Sequence, residues 1–79
     1  MKMINDNLTE HEMNILKLLA KGYSNRIIAE NIYITERTVW NHIHRIGQKL
    51  GVSGKVNILR QALINGLLHI QDLRRSPNE

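Results

Sequence analysis

The 79-residue chain contains no cysteine, which excludes disulfide bonds and thiolate metal sites. Its apolar runs are only a few residues long, far short of the roughly 20 residues that span a bilayer. The first residues, MKMINDN, lack the apolar stretch of a signal peptide. The single proline, Pro77, lies in the tail, so no proline interrupts a helix before it. We therefore expect one small cytoplasmic domain without a membrane segment.

Acidic residues are scarce relative to basic ones. Eleven Lys and Arg residues against seven Asp and Glu residues give a net charge of +4 and a pI near 9.9. This balance favours a polyanionic partner such as nucleic acid. Many small soluble domains are mildly basic as well, so the charge alone leaves the partner open.

Helical periodicity runs through the chain, and no alternating polar and apolar run is long enough to predict a strand. The pattern predicts an all-α fold, a compact four-helix domain over residues 8–71. The polar ends, 1–7 and 72–79, are expected to be flexible. The predicted helices cover about residues 10–21, 25–32, 36–50 and 55–65.

The first two helices are predicted from their ends and their apolar faces. Thr9 can cap the first helix, Glu12 completes a capping box, and Gly22 ends the helix. Ser24 can cap the second helix, on which Ile27 is expected to be exposed. The inward faces of the two helices carry Leu8, Ile15, Leu16, Leu19, Ile28, Ala29 and Ile32.

The third helix is predicted to follow Thr35 as its N-cap and to end at Gly51. Its apolar spacing predicts a buried stripe, and at about 100° per residue the opposite face is entirely polar. Trp40 and Arg45 flank that polar face. The buried stripe is Val39, Ile43, Ile46 and Leu50, and the outward residues are Arg37, Asn41, His44 and Gln48.

The fourth helix is predicted to start at Ser53 or Gly54 and to end at Gly66. Its apolar residues exceed what packing against the first helix requires, so some of them belong either to the core or to a partner. The predicted core stripe is Val56, Leu59, Leu63 and Leu67, and the additional apolar residues are Ile58, Ile64 and Leu68.

Patterns that would indicate a metal site or catalysis fail on spacing. His42 and His44 are two residues apart, so they point in different directions on a helix and cannot hold one ion together. The stretch GVSGK lacks the spacing of a phosphate-binding loop, the preceding strand and the hydroxyl residue after lysine. No nucleophile and base are paired in the sequence. We expect no metal, no cofactor and no enzymatic activity.

A short helix, a tight connection and a second helix with a polar face form a helix-turn-helix, whose second helix enters the major groove of DNA. Asn41 can bond to adenine, and Arg37 or Arg45 can bond to guanine or phosphate. Thr35, Thr38 and the N–H groups at the start of the third helix can bind phosphate. Further contacts with the DNA backbone are expected from Arg26, Lys49 and Lys55.

Several segments at matching spacing carry a family resemblance: LTEHE, ILKLLAKGYSN, IAENIYITERTV, NHI, QKLGV and GLL. Over residues 8–68 the chain resembles the LuxR/GerE-type domain, also called the NarL/FixJ output domain, with its helix-turn-helix at about 24–43. The resemblance implies a transcription regulator that binds double-stranded DNA as a homodimer, usually at inverted repeats. It also implies a location in the nucleoid-associated cytoplasm, and contact with RNA polymerase is a further expectation.

The resemblance assigns base contacts to Trp40, Asn41 and His44, although relatives often have lysine at the first of these positions and some at the third. Trp40 either contacts a thymine methyl or sugar, or covers the rim of the core. His42 matches a common family histidine and is expected to pack at the edge of the buried stripe. In the family the fourth helix forms a weak dimer interface, for which the candidates are Ile58, Gln61, Ala62 and Asn65.

Two other interpretations remain open at the level of sequence. One is a protein-interaction module that pairs with another regulator, which the low lysine content of the third helix and Ile27 favour. The other is a part similar to region 4 of sigma factors, which shares much of the same motif and would bind RNA polymerase.

Overall fold

A computed structural model describes residues 8–74, which form four helices and, within that range, no strand. The helices are α1 (Glu10–Ala20), α2 (Asn25–Ile32), α3 (Glu36–Leu50) and α4 (Lys55–Ile64). A short 3₁₀ helix, Ile70–Leu73, packs against α1, so the ordered chain extends past the predicted boundary at residue 71. The predicted flexible segment 1–7 and the end of the predicted tail, 75–79, lie outside the described residues.

The start of α1 confirms the predicted capping box. The Thr9 N–H donates to Glu12 Oε1 at 3.0 Å, and the Glu12 N–H donates to Thr9 Oγ1 at 3.1 Å. Two of the N–H groups that have no partner inside the helix are thereby satisfied. Gly22 follows the helix with a φ of +87°, which only glycine adopts without strain.

The turn between α2 and α3 contains an unusual residue. Ser24 and Thr35 cap the two helices as predicted, each accepting a backbone N–H with its side-chain oxygen. Between them Tyr33 adopts a left-handed conformation, with φ 60° and ψ 45°. This conformation lets the Ile34 N–H donate to the Ala29 carbonyl at 3.1 Å, which closes the end of α2 and redirects the chain toward α3.

The third helix is central to the core, since it packs against α1, α2 and α4. The predicted stripe of Val39, Ile43, Ile46 and Leu50 is buried, which confirms its helical phase. Small side chains let neighbouring backbones approach: Ala29 is buried in α2, and a Cβ built on Gly47 would lie 2.7 Å from the Val52 carbonyl oxygen. Within residues 8–74, the buried apolar residues are Ile15, Leu16, Leu19, Ala20, Ile28, Ala29, Val39, Ile43, Ile46, Leu50, Ile58, Ala62 and Leu68.

The predicted core stripe of α4 is wrong at its first residue. Val56 is 78% exposed, whereas Ile58 is 1% exposed and Ala62 is fully buried. Leu59, Leu63 and Leu67 are only partly buried against the core. The inward face of α4 is therefore centred on Ile58 and Ala62, because a helix of ten residues can direct only part of its apolar surface toward α1 and α3.

Candidate nucleic-acid interface

The outward face of α3 presents polar side chains to solvent. Arg37, Asn41, His44 and Gln48 are all exposed, on the side of the helix opposite to its buried stripe. The Asn41 amide makes no hydrogen bond with any of residues 8–74, so both its donor and its acceptor are available. Because the stripe fixes the rotation of the helix, the core itself determines which side chains point outward.

Three of the predicted base-contact residues form a stacked column along this face. The Trp40 and His44 rings lie 3.8 Å apart between centroids, at an interplanar angle of 36°. The Arg37 guanidinium carbon lies 4.9 Å from the Trp40 ring centroid, within the range of a cation–π contact. Trp40 is 43% exposed. Arg37 and His44 thus hold the indole against the helix, at the edge of the polar face.

The N-terminus of α3 is capped by Thr35, whose hydroxyl group also contacts that of Thr38. The Thr38 N–H donates to Thr35 Oγ1 at 3.1 Å, and the two threonine hydroxyl oxygens are 2.9 Å apart. Thr35 remains exposed and Thr38 is half-buried. The pair therefore lies where phosphate binding was predicted, and its hydroxyl groups already bond to each other.

The cations predicted to contact the DNA backbone differ in the strength of their ion pairs within the protein. Arg26 pairs with Glu30 at 3.2 Å on the surface, a contact worth only about 0.3–0.5 kcal/mol. Lys49 instead lies on the side of α3 that faces α1, and its ammonium is 2.7 Å from the buried carboxylate of Glu12. Arg45 and Lys55 are both exposed. Lys49 is consequently the least available of these cations for DNA, because moving it would leave Glu12 buried without its partner.

Comparisons with known proteins show the family of the chain. Residues 6–62 match the family model "Bacterial regulatory proteins, luxR family". The chain belongs to the LuxR family. It is 39% identical over 64 residues to the transcriptional regulatory protein DegU of Brevibacillus brevis, covering 81% of this chain and 27% of DegU. It is 41% identical over 61 residues to the oxygen regulatory protein NreC of Staphylococcus aureus, covering 77% of this chain and 28% of NreC.

A solved structure of the transcription factor GerE superposes with a TM-score of 0.73 at 42% identity, covering 78% of this chain and 92% of GerE. These matches confirm the fold and the family resemblance identified from the sequence. The chain is a LuxR-family DNA-binding regulator domain, and it spans little more than a quarter of the length of the curated relatives it matches. None of the helices described in residues 8–74 is long and apolar enough to cross a membrane.

His42 lies apart from the column of this LuxR-family domain. It is half-buried, its ring centroid is 5.0 Å from that of His11, and its Nδ1 is buried without a hydrogen-bond partner among the described residues. Burial lowers the pKa of His42, and the charges of His11 and Arg45 lower it further. A neutral packing role fits these surroundings. Within residues 8–74, no group of three or more His, Asp or Glu side chains could hold a metal ion.

The structure places the four dimer candidates on α4 differently from one another. Ile58 and Ala62 lie in the core of the single chain, which leaves them no surface to offer a partner. Gln61 Nε2 donates to Asn65 Oδ1 at 3.3 Å, and both residues are half-buried. The outer surface of α4 carries Val56, Arg60 and Ile64 instead. The sequence pattern placed Val56 in the core stripe and left Ile64 open between the core and a partner, whereas the two residues are 78% and 67% exposed.

The sequence also gave no sign of a cleft beside the polar face. It has a volume of about 370 Å³ and lies between the C-terminal half of α3, the connection to α4 and the starts of α2 and α4. Trp40, His44 and Gln48 border it on the α3 side. The cleft forms where α2, α3 and α4 pack against one another. The spacing of residues within one helix does not predict this packing.

Proposed function

We propose that this chain binds a specific DNA sequence with α3 in the major groove, and regulates transcription as a LuxR-type regulator or the output domain of one. The observation that carries the proposal is the exposed polar face of α3, directed outward by the buried stripe behind it. Side chains of these types on an exposed helix face suit a helix that enters the major groove. The place of action would be the nucleoid-associated cytoplasm.

Base contacts are assigned to Arg37, Trp40, Asn41 and His44. Asn41 is the strongest candidate, because its amide is exposed and can bond to the N6 and N7 atoms of adenine. Arg37 would bond to guanine at the cost of its contact with Trp40. Trp40 and His44, stacked on each other, would contact the groove wall or a thymine methyl group as one unit.

Contacts with the DNA backbone are assigned to the surrounding residues. Arg26 can leave its weak surface pair with Glu30, and Arg45 and Lys55 are exposed. Thr35 and Thr38 stand at the N-terminus of α3, where the helix dipole favours a phosphate. Lys49 stays in the set as its weakest member, since the ion pair with Glu12 already engages it.

The chain is further proposed to act as a weak homodimer at inverted repeats, which the exposed side of α4 supports. Val56 and Ile64 flank Arg60 on the face opposite to Ile58 and Ala62. A single short helix offers less area than a stable interface needs, so DNA would supply most of the energy that brings two copies together.

The direct test starts by selecting binding sites from random duplex DNA with the purified chain. On the selected site, Asn41→Ala should weaken binding by about 1–3 kcal/mol and relax the preference at one base pair. Fluorescence anisotropy with the selected duplex and with each single-base variant measures both effects. Asn14→Ala, at an exposed position of α1 outside the proposed interface, is the matched control.

Two results would contradict the proposal. One is the recovery of no common sequence in the selection. The other is an equal loss of affinity for selected and random DNA in Asn41→Ala, since a base contact must distinguish between the two.

A further inference from the structure

The cleft beside α3 has the size and floor of a small-molecule site. Its volume of about 370 Å³ falls within the roughly 300–1,000 Å³ of known ligand pockets. Its floor is apolar, formed by Ile43, Gly47, Val52 and Ile58, and two of these residues are isoleucines of the core. Sites that bury small organic molecules combine such a floor with a few polar groups at the rim.

Two polar groups at the cleft have no partner within the described chain. The Asn25 Oδ1 atom is buried and accepts no hydrogen bond. Lys55, the first residue of α4, carries an exposed ammonium that pairs with no carboxylate of residues 8–74. A buried acceptor without a donor costs free energy, and a ligand that supplies a donor removes this cost. The cleft is therefore bordered by one unused cation, Lys55, and by Asn25, whose unused acceptor becomes available when its side chain turns toward the opening.

The charge of the lining restricts the ligand further. Among residues 8–74, no carboxylate lines the cleft, and Lys55 and His44 are the only ionisable side chains that do. The N-terminus of α4 opens at the same place, and its N-cap, Gly54, provides no side-chain acceptor for the first N–H groups. Both features favour an anion over a cation. On one wall, Trp40 adds an aromatic surface suited to a flat ring.

We propose that this cleft binds a small planar aromatic carboxylate that bears an N–H group. In the bound state the carboxylate lies near Lys55 and the N-terminus of α4, and the ring lies over the apolar floor beside Trp40. The Asn25 side chain, which lines the cleft, turns so that its Oδ1 atom leaves its buried position and accepts the ligand N–H. This site goes beyond the proposed DNA binding, because the ligand binds to the chain without DNA.

The position of the cleft couples the ligand to DNA recognition. Trp40 and His44 line the cleft and also belong to the proposed base-contacting column. A ligand packed against them restricts both side chains to one arrangement. Binding of the ligand and of DNA then become linked, each altering the affinity for the other by the same factor. We expect the ligand to weaken DNA binding, because the column can no longer adjust to the groove.

An NMR titration with indole-3-carboxylate, in the absence of DNA, tests the site. The chain has one tryptophan, so the Trp40 indole N–H gives a single resolved reporter signal at the cleft. We expect that signal to shift saturably, with millimolar affinity or better for a ligand of this size. Indole-3-carboxamide, which lacks the charge, and benzofuran-3-carboxylate, which lacks the N–H, should both bind more weakly.

Variants separate the cleft from general attraction to a basic protein. Lys55→Gln should weaken indole-3-carboxylate binding by about two- to fivefold, as expected for an exposed ion pair. Lys17→Gln, which removes an exposed lysine of α1 outside the cleft, should leave the affinity unchanged. A linear, unsaturable shift, equal affinity for the three compounds or an equal loss in both variants would overturn the site.

The coupling is tested on the DNA site obtained by selection. Saturating indole-3-carboxylate should weaken binding of that duplex, whereas indole-3-carboxamide at the same concentration should weaken it less. An unchanged DNA affinity with a saturated cleft would overturn the coupling. Failure of the chain to select any DNA would count against the proposed function alone, because the NMR titration uses no DNA.

Discussion

At the scale of single residues, the buried carboxylate of Glu12 links two helices. Glu12 is 2% exposed, accepts the N–H of Thr9, the N-cap residue of α1, and pairs with Lys49 of α3. Burial raises the pKa of Glu12, but the hydrogen bonds from Lys49 and Thr9, with the charges of Lys49 and Arg45, outweigh it and lower the pKa below the usual range of a glutamate. A depressed pKa in the folded state stabilises the fold while the carboxyl is ionised.

We predict that replacing this carboxylate changes the free energy of unfolding by an amount that depends on pH. Glu12→Gln should lower the free energy of unfolding at neutral pH by about 1–3 kcal/mol, because Lys49 loses its ionised acceptor. The difference from the wild type should shrink as the pH falls through the lowered folded-state pKa of Glu12, where the wild-type carboxyl also becomes neutral. Urea unfolding at several pH values measures this. Glu10→Gln, at an exposed position of the same turn, should show a much smaller effect, and a pH-independent difference would contradict the assignment.

The left-handed backbone conformation of Tyr33 lowers the stability of the fold, and this effect can be separated from that of its side chain. Its φ is +60° and its side chain is 93% exposed, so the ring contributes little packing to offset the left-handed conformation. Tyr33→Gly should raise the free energy of unfolding by about 1 kcal/mol. Tyr33→Ala removes the ring but keeps a Cβ, and should therefore not stabilise the fold. Thermal unfolding of both variants decides between these effects, and equal stability of the two would contradict a backbone origin.

At the scale of helices, local signals predict an element well when its caps and its apolar stripe agree. The bounds of α2 and α3 follow from Ser24, Thr35 and Gly51, and the stripe of α3 alone fixes the direction of its polar face. In α4 apolar residues occur on nearly every side, so periodicity left two phases open. Packing against α1 and α3 selects Ile58 and Ala62, which no spacing within α4 reveals. The cleft and the ion pair of Lys49 could not be predicted for the same reason, since both depend on contacts between helices.

The contact between α3 and the following connection depends on the absence of a side chain at Gly47. Replacing a helical glycine with alanine ordinarily stabilises a helix by about 1 kcal/mol. Here the new Cβ would lie 2.7 Å from the Val52 carbonyl oxygen. The backbone of Val52 cannot easily move away, because its N–H donates to the Gly47 carbonyl at 2.9 Å. Gly47→Ala should therefore destabilise the fold by about 1–3 kcal/mol in urea unfolding. Exposed Gln48→Ala should stay within about 0.5 kcal/mol of the wild type, and a stabilised Gly47→Ala would disprove the close contact.

At the scale of the whole molecule, a basic domain of this size is expected to depend on two copies for specificity. One α3 helix reaches only a few base pairs, so a second copy on the same duplex multiplies the discrimination. The two functions would then occupy different surfaces: α3 contacts DNA, and the outer side of α4 contacts the second copy. This separation makes assembly and DNA binding independently measurable.

Ile64→Glu should remove cooperative assembly without affecting a single half-site. Ile64 is 67% exposed on α4, and a carboxylate there would repel its symmetric copy while leaving the core intact. Anisotropy and sedimentation on duplexes with one and with two selected half-sites should show unchanged affinity for one, and loss of the two-copy complex on the other. Ile70→Glu introduces the same charge at a comparably exposed position of the 3₁₀ helix and should preserve cooperativity. If both variants assemble like the wild type, the dimer does not form through α4, and the inverted repeat must be bound through another surface.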